Sequence, residues 1–276
     1  MPLHQVAVLA VVQGLTEFLP ISSSAHLALA PWLLGWKDQG LTFDIALHFG
    51  TLTAILVYFF RDWVQVIGQG FGFEWGHNLQ LKRNPRLLWF MAAGTVPVGL
   101  AGFLLKEQVE TTLRNPLIIG TMLIAVGLLM ALAERVGTRR KDISGITFAD
   151  ALVVGLTQAI AIVPGTSRSG ITITAALFRE LDRPSAARFS FLLSTPAIAG
   201  ATLKAFWDLM EQGGVVPNMY APFLVGMALS ATTGWLVIAG FLRFLRQHSL
   251  TFFVTYRVIF GIIVIALAVF FRDTAG

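Results

Sequence analysis

Apolar residues fill the chain in long blocks, and short polar or proline-bearing stretches cut the blocks apart. Six blocks are long enough to cross the roughly 30 Å hydrocarbon core as helices: 43–60, 86–105, 116–134, 186–207, 219–243 and 251–271. Two others, 3–36 and 147–181, are broken near their middles by Pro20-Ile-Ser-Ser-Ser and Pro164-Gly-Thr-Ser-Arg-Ser-Gly. Proline removes a helix donor and clashes with the preceding turn, and about 15 residues on each side are too few for a full span. Both segments are predicted to be re-entrant hairpins that enter the membrane and return to the side they came from.

The halves align when shifted by 144 residues: Pro20 falls on Pro164, Ser22 on Thr166, Ser23 on Ser167, and span 43–60 on 187–204. Gly14-Leu15-Thr16-Glu17 is echoed as Gly155-Leu156-Thr157-Gln158 at a slightly different offset. Each half is then one hairpin plus three spans, and an odd number of crossings starts the second half on the opposite face. The expected fold is an all-α polytopic membrane protein, one integral domain built as an inverted repeat (1–140 and 145–276), an architecture that places binding sites between its halves.

Composition agrees with the pattern. The chain is 55% hydrophobic and 13% charged, against about 25% charged in soluble domains. Its net charge of +5 is read as basic loops facing an anionic inner leaflet rather than as a nucleic-acid surface. There is no cysteine, which excludes disulfides, thiolate nucleophiles and Cys-type metal sites. Ala28-Leu29-Ala30 resembles a signal cleavage site, yet Met1-Pro2-Leu3-His4 has no Lys or Arg and polar residues interrupt the apolar core, so the first segment is expected to stay. Arg61, Lys82, Arg83, Arg86, Arg135, Arg139, Arg140, Lys141, Arg179, Arg183, Arg188, Arg243 and Arg246 gather on one predicted face, against Lys37, Lys106, Arg114, Lys204 and Arg272 on the other. The first face is therefore assigned to the cytoplasm. Both termini and the mouth of the first hairpin then lie outside, and the loop from Arg61 to Pro85 lies along the inner interface.

Chemistry concentrates at the two breaks. Each returning helix begins near Ser22–Ser24 or Ser167–Ser169, so two positively polarised helix N-termini point toward each other inside the lipid, a setting for anions. Arg168 stands between Ser167 and Ser169, and its planar fork suits phosphate oxygens. Glu17 sits at a helix C-terminus, where it needs Arg168, a metal ion or a proton. Ser22 and Ser23 precede His26 by four and three residues, which puts them on its face of the helix. Nucleophile or activated water, base, metal ligand and charge clamp together suit phosphoryl transfer. Plainer roles compete with these. Thr16, Ser194 and Thr195 read as packing or back-bonding residues and Ser24 as a cap. His48 reads as a hydrogen-bonded core histidine, Gln13 and Gln158 as groups that orient neighbours or only satisfy each other, and Glu17–Arg168 has a rival reading as a structural ion pair.

Two motifs carry a resemblance over essentially the whole chain. Gln13-Gly-Leu-Thr-Glu17-Phe-Leu-Pro-Ile-Ser-Ser23-Ser-Ala-His26 and Pro164-Gly-Thr-Ser-Arg168-Ser-Gly-Ile-Thr172 resemble the (Glu/Gln)xxxGlu and PGxSRSxxT motifs of the bacterial undecaprenyl-diphosphate phosphatases, the type linked to bacitracin resistance. The resemblance implies hydrolysis of undecaprenyl diphosphate to undecaprenyl phosphate and phosphate in the inner membrane, recycling the lipid carrier for cell-wall synthesis, with bacitracin competing for the substrate. It implies a divalent cation, Mg²⁺ or Ca²⁺, with Glu17 as its ligand, and a site open to the outer face. Glu17, Ser23, His26 and Arg168 become the catalytic set. Gln13, Ser22, Ser167, Ser169 and Thr172 become substrate-binding residues. Many members carry glutamate where this chain has Gln13, and glycine where it has Ala25. Whether Ser23 or a metal-bound water attacks phosphorus stays open. A transporter or flippase of a phosphorylated lipid is the alternative.

Overall fold

Both predicted breaks fall at the prolines. The structure, a computed structural model, describes residues 1–36, 40–105, 113 and 115–274; Lys37, Lys106 and Arg114 of the charge count lie outside them. Helix α1 (Leu3–Phe18) stops two residues before Pro20, and α2 (Ser23–Leu33) starts after it. They are followed by α3 (Leu41–Tyr58), α4 (Phe60–Gly70), α5 (Leu79–Lys82), α6 (Leu87–Leu104) and α7 (Pro116–Val136). The second half comprises α8 (Phe148–Ile160), α9 (Arg168–Phe178), α10 (Arg183–Glu211), α11 (Tyr220–Phe244) and α12 (Thr251–Thr274).

Local chemistry sets the boundaries. Asn115 caps α7, accepting from Leu117 N with Pro116 as the first helical residue. Thr147 and Asp150 form a capping box at α8, and Asp182 caps α10 by accepting from Ser185 N at 2.8 Å. Among the described residues, five helices are long and apolar enough to cross a membrane, and α3 makes a sixth only together with α4. Large side chains such as Leu100, Phe103, Leu132, Leu236, Ile259 and Ile262 are exposed on these helices, the surface that lipid covers. The chain is an all-α polytopic membrane protein.

One expectation is corrected. The stretch after Arg61 is not all loop: Phe60–Gly70 is a helix bent 70° from α3. Val66 and Gln65 face inward while Phe60, Val64 and Ile67 are exposed, an amphipathic pattern with the 3.6-residue period of a helix lying at an interface.

Each hairpin closes at its own mouth. His4, at the start of α1, meets Trp36, just past α2, with ring centroids 6.0 Å apart. Arg179, just past α9, donates from Nε to Asp150 Oδ1 in the first turn of α8 at 2.6 Å. Glycines bring each entering helix against a span of the other half. A Cβ on Gly14 of α1 would lie 2.7 Å from Thr233 Cβ of α11, and one on Gly155 of α8 would lie 2.1 Å from Gly94 O of α6. No larger residue fits this approach.

Several of the basic residues predicted to share a face form ion pairs. Arg183 and Arg139 pair with Glu134, Lys141 and Arg179 with Asp150, and Arg188 with Asp62. Leu250 N also donates to Glu134 Oε1 at 3.0 Å. This contact sets the start of α12 at the arginine-rich end and sends its C-terminus to the opposite end.

Candidate active site at the hairpin tips

The two tips turn by the same device. Leu19, the C-cap of α1, is extended, and Ser22 takes φ 76° before α2 begins. In the second hairpin Gly165 takes φ 89° and Ser167 φ 65° before α9 begins. A positive φ at serine carries strain of about 1–3 kcal/mol. The structure matches Ser22 with Ser167, each the last residue before its returning helix. The tips therefore correspond one residue differently from the sequence alignment that set Ser23 on Ser167. The cause lies after the proline: two residues, 21–22, separate Pro20 from its returning helix, and three, 165–167, separate Pro164 from its own.

Four contacts join the tips. Arg168 Nη2 pairs with Glu17 Oε1. Ser169 Oγ donates to Leu19 O at 3.1 Å, and Gly165 N donates to Ser24 Oγ at 3.3 Å. The fourth is Arg257 of α12, fully buried, whose guanidinium donates to Pro20 O of the first tip (3.1 Å) and to Gly165 O and Thr166 O of the second (3.1 and 2.9 Å). It also reaches Leu123 O and Met122 O of α7, at 3.1 and 3.2 Å. Sequence reading passed over Arg257, although a lone arginine inside an apolar span was itself a signal.

Around Glu17 the chemistry is dense. Its Oε2 accepts from Ser23 Oγ at 2.7 Å and from Gln13 Nε2 at 3.1 Å, while Oε1 faces Arg168. Gln13 Nε2 also lies within hydrogen-bond distance of His48 Nδ1, at 3.3 Å. A cavity of about 440 Å³ opens beside them, within the range of small-molecule sites. Its polar wall includes Glu17, Ser22, Ser23, Ser24, Ser167 and Arg168. Gln158, His48 and Asp44 also line it, and Ala197, Ala201 and Ala205 of α10 give it an apolar side.

The structure does not bring every candidate to this cavity. His26 Nδ1 donates to Ser22 O at 2.7 Å, and its Nε2 accepts from Tyr256 Oη at 2.6 Å. Its ring stacks on Phe260 at 4.7 Å, so the imidazole is turned away from Ser23. Thr172 Oγ1 donates to Arg168 O at 2.7 Å and pairs with Ser190 Oγ at 2.6 Å inside the fold. Ser169 is taken up by the bond to Leu19. Ser167 Oγ accepts from Gly170 N at 3.2 Å, an N-cap whose residue also lines the cavity. Ser22 and Ser24 pair with each other at 3.1 Å. Thr16, Ser194 and Thr195 donate to carbonyls of their own helices. His48, read from sequence as a core histidine, lies on the wall.

Glu17 is the carboxylate that a divalent cation would need. Both of its oxygens are engaged by Arg168, Ser23 and Gln13, and among the described residues no three His, Cys, Asp or Glu side chains gather as a metal cage. This donor set does not fit a cation held by the protein alone.

Fold and site together define an integral polytopic membrane protein with a polar, arginine-bearing cavity between two facing hairpins. Residues 6–263 match the family described as bacitracin resistance protein BacA, and the chain belongs to that family. An undecaprenyl-diphosphatase of Geobacter sulfurreducens is 48% identical over 268 residues, 96% of this chain and 98% of its own length. The protein of the same name from Desulforudis audaxviator is 47% identical over 95% of this chain and 96% of its own. The one from Gemmatimonas aurantiaca is 44% identical over 96% and 98%.

Proposed function

We propose that the chain hydrolyses undecaprenyl diphosphate to undecaprenyl phosphate and inorganic phosphate, returning the lipid carrier to cell-wall synthesis. One observation carries this reading: Glu17 joins the Ser23 hydroxyl and the Arg168 guanidinium at the wall of a single cavity. In this reading Ser23 Oγ attacks the terminal phosphorus and Glu17 Oε2 takes its proton. The bond from that phosphorus to the bridging oxygen breaks, Glu17 passes the proton to the departing group, and undecaprenyl phosphate leaves. Water then attacks the phosphoserine as Glu17 takes a proton from it, the bond from phosphorus to Ser23 Oγ breaks, Glu17 returns the proton to Oγ, and phosphate departs. Arg168 offsets charge on the transferred group. His26 has no place as base to Ser23 in this scheme; it fixes the carbonyl of Ser22. A divalent cation, Mg²⁺ or Ca²⁺, enters with the diphosphate as its carrier.

The orientation follows the same reading. With the arginine-rich end in the cytoplasm of an inner membrane, both termini lie outside. The cavity, which extends to Asp44 in the first turn of α3 and to Ala205 of α10, then opens outward. Residues 1–140 and 145–276 form two inverted repeats, supported by the matching pairs α1–α11 and α8–α6. Bacitracin, by sequestering the lipid diphosphate, competes for the substrate.

The test is phosphate release from undecaprenyl diphosphate by purified protein, with Ser23→Ala beside it. Wild-type release, with Ser23→Ala reduced on the order of 10³-fold, supports a seryl intermediate. Substantial turnover by Ser23→Ala assigns the attack to water. A wild-type protein that moves the lipid across a bilayer without releasing phosphate is a transporter.

A further inference from the structure

Gln158 is the buried polar group that the mechanism above leaves unused. It is fully buried and lines the cavity. Neither its Nε2 nor its Oε1 has a hydrogen-bond partner among the described residues. Buried amides are almost always satisfied, and an orphan at a cavity wall calls for a ligand. Its position points the same way. Gly155-Leu156-Thr157-Gln158 repeats Gly14-Leu15-Thr16-Glu17, and both glycines pack their helices against a span of the opposite half. Gln158 thus occupies in the second hairpin the place that Glu17 occupies in the first. Where the first hairpin presents an acceptor, the second presents an uncharged donor, beside Ser167 and Arg168 on the same cavity wall.

We propose that Gln158 is a substrate-binding residue whose amide N–H groups donate to the oxygens of a diphosphate. A carboxylate there would repel the same group, so the departure from glutamate at this repeat position suits an anionic ligand. The inference rests on the phosphatase reading for the identity of the lipid, though not for the chemistry of the headgroup.

The experiment compares wild type, Gln158→Leu and Gln158→Glu as full-length protein in detergent. The substrate-free thermal midpoint of Gln158→Leu stays at or above that of wild type, because the amide has no bond to lose. For phosphate release from undecaprenyl diphosphate, kcat/KM falls roughly ten- to a hundredfold in Gln158→Leu, the range of a hydrogen bond to a charged group, and further in Gln158→Glu. The rise in midpoint that methylenediphosphonate gives wild type shrinks in both variants. Unchanged kcat/KM in both variants overturns the proposal. So does a loss in Gln158→Leu matched by a lower substrate-free midpoint, which marks a structural glutamine. A wild type that releases no phosphate, yet shows a Gln158-dependent response to the diphosphonate, defeats the phosphatase reading and leaves the binding role standing.

Discussion

The two hairpin tips share a plan and divide the chemistry. Each has a Gly-Leu-Thr-X helix end, a proline, a serine at positive φ and a returning helix. The first tip ends in Glu17 and places Ser23 at the helix start. The second ends in Gln158 and places Arg168 there. Two identical tips would set like charges against each other: paired carboxylates with no cation, or paired guanidiniums with no base. The difference between the tips makes a base, a hydroxyl and a charge clamp available to one phosphorus.

Making the first tip resemble the second erases that difference. Glu17→Gln keeps the shape and removes the base, and turnover is expected to fall on the order of 10³-fold in a phosphate-release assay, with the protein still folded. Near-normal turnover would dissolve the comparison. The next effect falls on the clamp that holds the tips in register. Arg257→Met strips buried carbonyls of both tips and of α7 of their donor. A loss of at least ~3 kcal/mol of stability is expected, read as a lower thermal midpoint in detergent, with Arg257→Lys recovering part of it. A midpoint equal to wild type for Arg257→Met would mean that the tips hold themselves together. The smallest effect belongs to a pair far from either tip. Lys82 and Glu74 are 53% and 82% exposed, and Lys82→Ala should change stability by less than about 0.5 kcal/mol and leave turnover alone.

Sequence reached the hairpins and the meeting of Glu17 with Arg168 because both follow from local rules: proline ends a helix, and a mid-membrane charge needs a partner. It did not reach features set by contacts distant in the chain. The correspondence of the tips slipped by one residue because three residues, not two, follow the second proline before its returning helix, and Arg257 binds carbonyls of two of them, Gly165 and Thr166. His26 follows Ser23 at helical spacing, which suggested a shared face, but Tyr256, 230 residues away, holds its ring elsewhere. Helix α4 was hidden by the glycines Gly68, Gly70, Gly72 and Gly76, which read as loop, although Phe60, Val64 and Ile67 already had helical spacing. Gln158 looked like a residue that orients a neighbour or pairs with Gln13; in the packed structure neither of its amide atoms has a hydrogen-bond partner among the described residues.

The central claim is that Glu17 and Arg168 act as one unit across the tips. Its most direct test is a double-mutant cycle on kcat/KM for phosphate release, with Glu17→Gln, Arg168→Met and both together. Each single variant is expected to lose on the order of 10³-fold and the double to lose little more than the worse single, the non-additivity of groups that serve one step. Near-wild-type activity in either single variant, or losses that multiply as at independent sites, would contradict it.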